Sequence, residues 1–368
     1  MATGSQTLLV YRDRIGVPSE IEFLRRQYVG FTTLTPIWVS RHVMPDAGQL
    51  GAPVHRLGGS GVLGGLRRAA FGQFGIVPPL DLPPHARVLH AQFARGGALA
   101  LPLVRSLGLH MVVTLHGGDI AKAKNFRHTM LARRWPGVIA ATARFVCVSG
   151  AVAETARRRG VPQEKLVVLP IGVEMPEAPP PPPAGPPYHL FVGRFVAKKG
   201  IGVLADAVRR LRAAGDATPV VCIGDGPLRP VLETLVRETD GVELTGWLPP
   251  HVVQARMAAA WAVLVPSVVA EDGDAEGLPS VIPEAMAQAC PVIGSHEGGI
   301  AEAIADARTG VLVPPGDATA LADAMHRLAY DAPLRHGLGQ AAFAYARAHL
   351  NARVQSAALE KLLLEVGS

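Results

Sequence analysis

Short apolar runs alternate along this chain with longer stretches rich in Ala, Leu and Arg. Runs of four or five apolar residues are typical of buried strands, and the longer stretches have the composition of helices. Strands that alternate with helices build parallel sheets. The pattern occurs twice, once on each side of a proline-rich segment. The sequence therefore predicts an α/β fold with two Rossmann-like domains, over residues 1–174 and 188–350, joined by a linker over 175–187.

The low-complexity segments fit this division. The chain has 368 residues, 49% of them hydrophobic, which is enough for two substantial cores. Consecutive prolines between Met175 and Tyr188 favour an extended polyproline II linker. An SH3-type ligand has a similar composition, but the position between two βα domains favours a spacer. The glycine-rich piece at 57–66 is predicted to be a mobile loop.

Two carboxylates with seven residues between them form the most informative motif, E-G-L-P-S-V-I-P-E. Gly277 permits close approach of a ligand, Ser280 is a favourable N-cap, and a helix is predicted from Val281. Glu276 then precedes the helix and Glu284 lies just inside it. The free N–H groups between them would suit a phosphate, and the two acceptors would suit hydroxyls on either side of it. The alternative is a solvated Glu276 and a Glu284 that only complements the helix dipole.

A second motif, L-F-V-G-R-F-V-A-K-K-G, lies upstream. Its apolar run predicts a strand, Gly193 opens a turn, and a helix begins near Ile201. Arg194 and Lys199 would lie on the loop between strand and helix, where two cations suit a diphosphate. Two solvated basic residues are the alternative.

Taken in order, the motifs V-C-I-G-D-G-P-L, V-E-L-T-G-W, A-V-L-V-P-S, P-V-I-G-S-H-E-G-G and T-G-V-L-V-P-P-G-D complete this half. Residues 188 to about 328 resemble the nucleotide-binding half of the retaining glycosyltransferases of family 4, which have the GT-B fold. The resemblance implies that Arg194 and Lys199 bind the donor diphosphate and that Glu284 holds the ribose. It also implies that Glu276, with the backbone of Gly277 and Leu278, holds the donor sugar. Gly193 and Ser280 belong to the same donor site.

The N-terminal half resembles the exopolysaccharide-type members of the family. The segment G-V-P-S-E-I-E-F is similar to their P-S-E-T-F-I segment, and V-L-H-A-Q-F-A is similar to their H-A-H-F-A segment, with Gln92 replacing the second His. The strand M-V-V-T-L ends at His116, which in the family lies by the donor sugar. Gly16, Glu20 and Asp119 are candidate acceptor-side residues.

The resemblance implies a two-domain enzyme with the domains facing a cleft and the C-terminal helix, 351–368, packing back on the N-terminal domain. Arg194 and Lys199 would offset the charge of the leaving diphosphate without a metal ion or cofactor. The acceptor would be a sugar, a lipid-linked or polysaccharide precursor, or a small molecule. The rivals are a natural-product glycosyltransferase, an epimerase or phosphorylase on the same fold, and a non-catalytic subunit that binds nucleotide sugars.

The formal net charge is +6, with basic residues clustered between Lys122 and Arg134. Sparse aromatics and the lack of a recognition motif argue against nucleic acid. An ordinary Arg-rich surface and peripheral contact with a membrane that carries a lipid-linked acceptor both remain open. Cys147, Cys222 and Cys290 lie in or beside apolar strands and are expected to be buried, reduced thiols. With no signal-peptide pattern, the expected location is the cytoplasm, either free or at the inner face of the membrane.

Overall fold

The computed structural model describes residues 6–80, 86–181 and 188–368. The last six residues of the predicted linker, 182–187, lie outside the described residues. The chain divides into two compact units. The N-terminal unit contains Met1–Gly172 together with Ala352–Ser368, and the C-terminal unit contains Val173–Asn351.

The N-terminal unit is built on a parallel seven-stranded sheet of order β5-β3-β1-β6-β7-β8-β9, and β2 pairs with β4 beside it. Its strands are β1 (Gln6–Tyr11), β2 (Arg14–Ile15), β3 (Leu34–Ser40), β4 (His42–Val43), β5 (Val54–Arg56), β6 (Val88–Gln92), β7 (His110–Leu115), β8 (Thr142–Cys147) and β9 (Leu166–Val168). Its helices up to this point are α1 (Pro18–Arg26), α2 (Gly61–Phe74), α3 (Ala94–Leu107), α4 (Gly118–Ala121), α5 (Met130–Ala141) and α6 (Gly150–Arg158). Shorter 3₁₀ turns span Pro45–Leu50, Ala123–Phe126 and Gln163–Lys165.

The C-terminal unit contains a parallel six-stranded sheet of order β12-β11-β10-β13-β14-β15. Its strands are β10 (His189–Val192), β11 (Val220–Ile223), β12 (Val242–Gly246), β13 (Ala262–Val265), β14 (Val292–Ser295) and β15 (Gly310–Val313). Its helices are α7 (Ile201–Ala213), α8 (Arg229–Glu238), α9 (Pro250–Ala259), α10 (Val281–Ala287), α11 (Gly298–Ala303), α12 (Ala318–Tyr330) and α13 (Ala332–His349), with a 3₁₀ turn at Ala197–Lys199. Apolar cores cover both faces of the sheet, which explains why its strands read as unbroken apolar runs.

The last helix, α14 (Ala352–Gly367), belongs to the N-terminal unit. Leu359 and Leu363 lie in the core of that unit. The buried carboxylate of Glu360 accepts hydrogen bonds from the backbone N–H groups of Thr33 and Leu34, both at 2.7 Å. The C-terminal helix therefore packs on the N-terminal domain, as the resemblance predicted.

The glycine-rich piece at 57–66 differs from the predicted loop, because α2 begins inside it at Gly61. Gly64 packs directly against the preceding turn, where an added Cβ would lie 2.5 Å from the carbonyl oxygen of Gly59. The glycines thus allow a close approach between a turn and a helix. The loop prediction is wrong for residues 61–66. The three cysteines are buried and free, as predicted.

Candidate active site

The strand order of the C-terminal sheet reverses between β10 and β13, which are parallel neighbours. Open α/β sheets bind ligands in the crevice outside the carboxyl ends of their strands at such a switch point. The residues that follow β10 and β13 are therefore candidate ligand contacts. They include the predicted Gly193, Arg194 and Lys199.

Two lysines and a carboxylate meet at this edge of the sheet. Nζ of Lys199 lies 3.1 Å from Oε1 of Glu276, and Nζ of Lys198 lies 3.6 Å from the same oxygen. Lys198 also lies 3.3 Å from Oδ1 of Asp274. The exposed fraction of the Glu276 side chain is only 10%. The structure thus pairs Lys199 directly with Glu276, two residues that the sequence assigned to different parts of a donor.

The lysines keep Glu276 charged. Burial opposes ionisation of this carboxyl, but Lys199 and Lys198 outweigh it and hold the pKa of Glu276 below its usual value. Within the described part of the chain, Oε1 lies close to Lys199 without a directed hydrogen bond. A carboxylate oxygen in this state retains the capacity to accept a hydrogen bond from a hydroxyl group.

The loop that carries the lysines is held in place from the end of β13. Gly200 has a φ of 68°, and an added Cβ would lie 1.8 Å from the carbonyl oxygen of Pro266. The N–H of Val268 donates to the carbonyl of Lys198 at 2.9 Å. Two backbone contacts therefore fix Lys198 and Lys199 beside the end of β10.

Arg194 is placed differently from the lysines. The N–H of Gly193 donates to the carbonyl of Ile223 at 3.0 Å, which ties the residue after β10 to the end of β11. The next residue, Arg194, is exposed, and its side chain forms no hydrogen bond or ion pair with any residue in the described ranges. It lies outside the Lys–Glu cluster and is accessible to a ligand.

Helix α10 begins at Val281, as predicted, but its first turn differs from the predicted one. Ser280 has φ −59° and ψ −25°, and its side chain makes no capping hydrogen bond. A capping side chain usually reaches the first turn from an extended backbone, and Ser280 is already helical. The N–H of Ile282 donates to the carbonyl of Pro279 at 3.0 Å, and Pro283 has no N–H. The prediction of a side-chain cap at Ser280 is therefore wrong, and Ile282 and Pro283 contribute no free N–H group to the predicted phosphate site.

The remaining residues that were predicted to contact the donor substrate lie on either side of the start of α10. Glu284 is half-buried in the first turn of α10. Gly277 is buried, and the partly buried Leu278 packs on the apolar core. The segment next to Glu276 is therefore anchored by packing.

In the N-terminal sheet the strand order reverses between β1 and β6. The Arg12 guanidinium lies 4.1 Å from the centroid of the Phe93 ring, and that ring lies 4.2 Å from the imidazole of His116. The carboxylate of Glu20 accepts hydrogen bonds from Arg12 at 2.8 and 3.0 Å. Phe93 has a φ of 68°, which is uncommon for an aromatic residue and is found most often at functional sites. Glu20 and His116 thus belong to one cluster outside β1, β6 and β7.

A buried chain of hydrogen bonds orients His116. Its Nε2 donates to Oε1 of Gln92 at 2.8 Å, and Nε2 of Gln92 donates to the Tyr28 hydroxyl at 2.7 Å. The Tyr28 hydroxyl then donates to Nδ1 of His90 at 2.9 Å, and Nε2 of His90 donates to Oγ1 of Thr114 at 2.6 Å. These bonds run in one direction, so His116 carries its proton on Nε2 and its Nδ1 is an acceptor.

Burial keeps His116 neutral. It lowers the pKa of His116 to about 3, and the positive charge of Arg12 acts in the same direction. A neutral imidazole with a fixed tautomer can accept a hydrogen bond at Nδ1 throughout the physiological pH range.

Asp119 and Gly16 have structural roles within the N-terminal unit. Oδ1 of Asp119 accepts from the N–H of His116 at 3.0 Å, and Oδ2 accepts from the N–H of Ala94 at 2.8 Å. Asp119 therefore ties the end of β7 to the start of α3. Gly16 has a φ of 83°, and an added Cβ would lie 2.6 Å from the backbone nitrogen of Ala47. Both residues position their neighbours.

Several members of these clusters were missed by the sequence reasoning. Arg12 and Phe93 follow β1 and β6 directly, and Lys198 adjoins Lys199. A search of the residues just after each strand would have found Arg12 and Phe93. Gln92 was noted only because it replaces a His of the family segment. No pattern near Asp274 indicated that it would lie beside Lys198.

The two units match two family models. Residues 186–331 match the model described as Glycosyl transferases group 1, and residues 68–175 match the model described as Glycosyltransferase Family 4. This chain belongs to the family 4 glycosyltransferases. The family predicted from the ordered motifs is confirmed.

Similar proteins point to the exopolysaccharide-type members. WcaL of Escherichia coli, named for colanic acid biosynthesis, is 35% identical over 65% of this chain and 61% of its own length. AmsK of Erwinia amylovora, named an amylovoran biosynthesis glycosyltransferase, is 33% identical over 69% of this chain and 64% of its own length. The chain thus spans somewhat over three fifths of the length of these relatives.

The fold likeness extends over nearly the whole chain. The crystal structure of Anabaena HepE in complex with UDP and glucose matches with a TM-score of 0.78 and 18% identity, covering 98% of this chain and 99% of HepE. At this identity the likeness concerns the fold alone. The predicted GT-B fold class is confirmed.

Proposed function

We propose that this chain transfers a sugar from a nucleotide diphosphate sugar to a hydroxyl group of an acceptor, with retention at the anomeric carbon. The observation that carries the proposal is the partly buried cluster of Lys198, Lys199 and Glu276 at the switch point of the C-terminal sheet. It offers cations for a diphosphate and an acceptor for a sugar hydroxyl within one small region. The complex of HepE with UDP and glucose supports the same class of donor.

Arg194 and Lys199 would bind the diphosphate, with Lys198 adding a third positive charge. Charge-assisted bonds to phosphate oxygens strengthen as the leaving group gains charge in the transition state. The proposal therefore assigns no metal ion to the leaving group. Because Lys199 already pairs with Glu276, an arriving diphosphate would compete for this lysine and draw it partly away from the carboxylate.

Glu276 would then turn its freed acceptor capacity to the donor sugar, helped by the backbone of Gly277 and Leu278. Glu284 would hold the ribose hydroxyls, and Gly193 and Ser280 would contact the donor through their backbone. His116, neutral and with an accepting Nδ1, would take a hydrogen bond from a sugar hydroxyl. Neither carboxylate is a nucleophile in this proposal, since the leaving phosphate oxygen takes the acceptor's proton on the same face. All these groups would act by positioning.

The acceptor would be a polysaccharide or lipid-linked precursor, in line with the biosynthetic names of WcaL and AmsK. A lipid-linked acceptor implies peripheral contact with a membrane. Among the described residues, no helix combines the length and apolarity needed to cross a bilayer. Glu20, Asp119 and Gly16 would shape the acceptor side around His116.

The test compares Glu284→Ala with Glu276→Ala. Glu284→Ala removes ribose contacts and should weaken the free nucleoside diphosphate and the donor alike, by about tenfold or more, since hydrogen bonds to charged groups contribute roughly 1.5–3 kcal/mol. Glu276→Ala should lower kcat without weakening the diphosphate, because it removes a sugar contact and frees Lys199. Calorimetry with UDP and GDP, and turnover with a panel of nucleotide sugars, measure the two effects.

Glu164→Ala serves as the matched control, because Glu164 is exposed in the N-terminal unit and its loss should change neither quantity. Equal loss of diphosphate affinity in the Glu276 and Glu284 variants would contradict the assigned roles. A wild-type chain that binds none of the nucleotides would contradict the proposed function itself.

A further inference from the structure

Helix α2 exposes four of its five large apolar side chains. The exposed fractions are 84% for Val62, 59% for Leu63, 64% for Leu66 and 69% for Phe74. At 100° per residue these four positions fall on one side of the helix. A surface helix of a globular domain usually shows the opposite arrangement, with its apolar stripe inward.

The inward side of α2 is held by very few groups. Only Gly64 and Phe71 are buried in the helix. The Phe71 ring packs on Tyr11 of β1, with 6.4 Å between ring centroids. The apolar side chains on the outward face are therefore not needed to anchor the helix. We call this outward face, formed by Val62, Leu63, Leu66 and Phe74, the α2 face.

Basic side chains surround the α2 face. The sequence from residue 47 to residue 80 contains three arginines and no acidic residue. Arg67 is exposed beside the face, and Arg68 donates to the carbonyl of Gly59. Near the end of α2, Phe74 lines an open groove of about 720 Å³ together with Arg105 and Arg134.

This combination identifies the chemistry of a partner. A contiguous exposed apolar face marks an interaction site. An apolar face surrounded by arginines fits a surface with anionic groups over an apolar interior. Amphipathic helices with apolar and basic groups lie in the interface of bilayers that contain anionic lipids. A second copy of this chain would bring like charges together, because its own α2 face carries the same arginines.

We propose that the α2 face docks on an anionic phospholipid bilayer, with Leu63, Leu66 and Phe74 inserted among the acyl chains and Arg67 at the lipid phosphates. Helix α2 is linked to the end of β1: the Arg41 guanidinium lies against Gly72 of α2, where an added Cβ would overlap it, and pairs with Asp13, the residue after Arg12. Docking would bring the edge of the sheet that carries His116 close to a membrane-borne acceptor. This extends the membrane contact of the proposed function and assigns it to particular residues.

The test is flotation with vesicles of phosphatidylcholine alone and of phosphatidylcholine mixed with phosphatidylglycerol. The wild type should float with the mixed vesicles and remain below with the neutral ones. The double variant Leu63→Glu/Leu66→Glu should bind the mixed vesicles more than about tenfold more weakly, since it removes two inserting side chains. Arg67→Gln should weaken binding by about fivefold, the effect of one basic residue near an anionic surface.

Val354→Glu is the matched control, because Val354 is 54% exposed on α14 and undergoes the same chemical change away from α2. It should bind like the wild type, and the circular dichroism of all variants should match the wild type. The proposal would be overturned if the wild type did not bind anionic vesicles, or if Val354→Glu lost as much vesicle binding as the double variant. It would also be overturned if the wild type bound no lipid and formed a dimer in solution that the double variant abolished. Each readout is independent of turnover, so that this inference and the proposed function can fail separately.

Discussion

At the scale of single residues, Gln92 controls the protonation of the His116 imidazole. Gln92 accepts from Nε2 of His116 at 2.8 Å and so fixes which ring nitrogen carries the proton. If the imidazole exchanged between its two tautomers, Nδ1 would be a hydrogen-bond donor in some molecules and an acceptor in others. Gln92 is thus a positioning residue that acts through His116.

Gln92→Met keeps the approximate volume and removes the acceptor. We expect kcat to fall between about tenfold and a hundredfold, because misplacement of a contacting group has effects of this size. The affinity for the free nucleoside diphosphate should be unchanged. In ¹⁵N NMR spectra, His116 should show the Nε2–H tautomer in the wild type and a mixture in the variant. At pH 5 both should be neutral, because burial lowers the pKa of His116 to about 3 and only a pH near that value would protonate it.

Gln92→His provides the conservative comparison, since it restores a polar ring next to His116 and should recover much of the turnover. If Gln92→Met keeps full turnover while its spectrum shows the mixed tautomer, then the tautomer of His116 does not matter for the reaction. If diphosphate affinity falls with kcat, the effect of the variant is general and not confined to His116.

At the scale of elements, one carboxylate links α14 to the start of β3. Glu360 accepts hydrogen bonds from the N–H groups of Thr32, Thr33 and Leu34 at 2.7 to 3.0 Å. Burial opposes its charge, but these backbone N–H groups outweigh burial and hold the pKa of Glu360 below its usual value. The helix is therefore fastened to the sheet by polar bonds as well as by its apolar face.

Glu360→Ala should lower the free energy of unfolding by about 3 kcal/mol near neutral pH, because it leaves buried N–H groups without a partner. Since the pKa is lower in the folded state, the stabilising effect of Glu360 is present above its unfolded pKa and disappears as the pH falls through the folded value. Urea unfolding at neutral and acidic pH measures the difference. Glu365→Ala, an exposed position on the same helix, should change stability by less than about 0.5 kcal/mol. Equal effects of the two variants would contradict this account.

At the scale of the whole molecule, the two units differ in how the chain builds them. Residues 173–351 form the C-terminal unit from one continuous stretch, whereas the N-terminal unit needs both ends of the chain. Leu359 and Leu363 of α14 lie in the same core as Leu8 and Val10 of β1. A fragment that ends at residue 172 would expose that part of the core.

We expect the isolated fragment 173–351 to unfold cooperatively in urea and to bind a nucleoside diphosphate. The fragment 1–172 should lack a cooperative transition, and addition of a peptide spanning 352–368 should restore one. Circular dichroism followed through urea titrations measures both. A fragment 1–172 with a cooperative transition of its own would show that the core tolerates the loss of α14.

Local patterns in the sequence were sufficient for the elements and the family. The apolar runs correctly predicted parallel strands, and the helices that start at Ile201 and Val281 lie where predicted. The ordered motifs correctly predicted family 4 and the GT-B fold. These features depend on periodicity and on residues close together in the chain. The same local reasoning misjudged Ser280 and the glycine-rich piece, because a backbone angle decided the first and a close packing contact decided the second.

Tertiary structure alone decided which distant groups meet. Lys199 and Glu276 come together only because β10 and β13 are neighbours in the sheet, and His116 contacts Gln92 only because β6 and β7 pair. The neutrality of His116 depends on burial, which no local pattern reports. The outward direction of the apolar side chains of α2 likewise depends on which side of the helix the rest of the fold covers. The reason is physical: charge, burial and contact depend on distance in space, and the chain determines that distance only after it has folded.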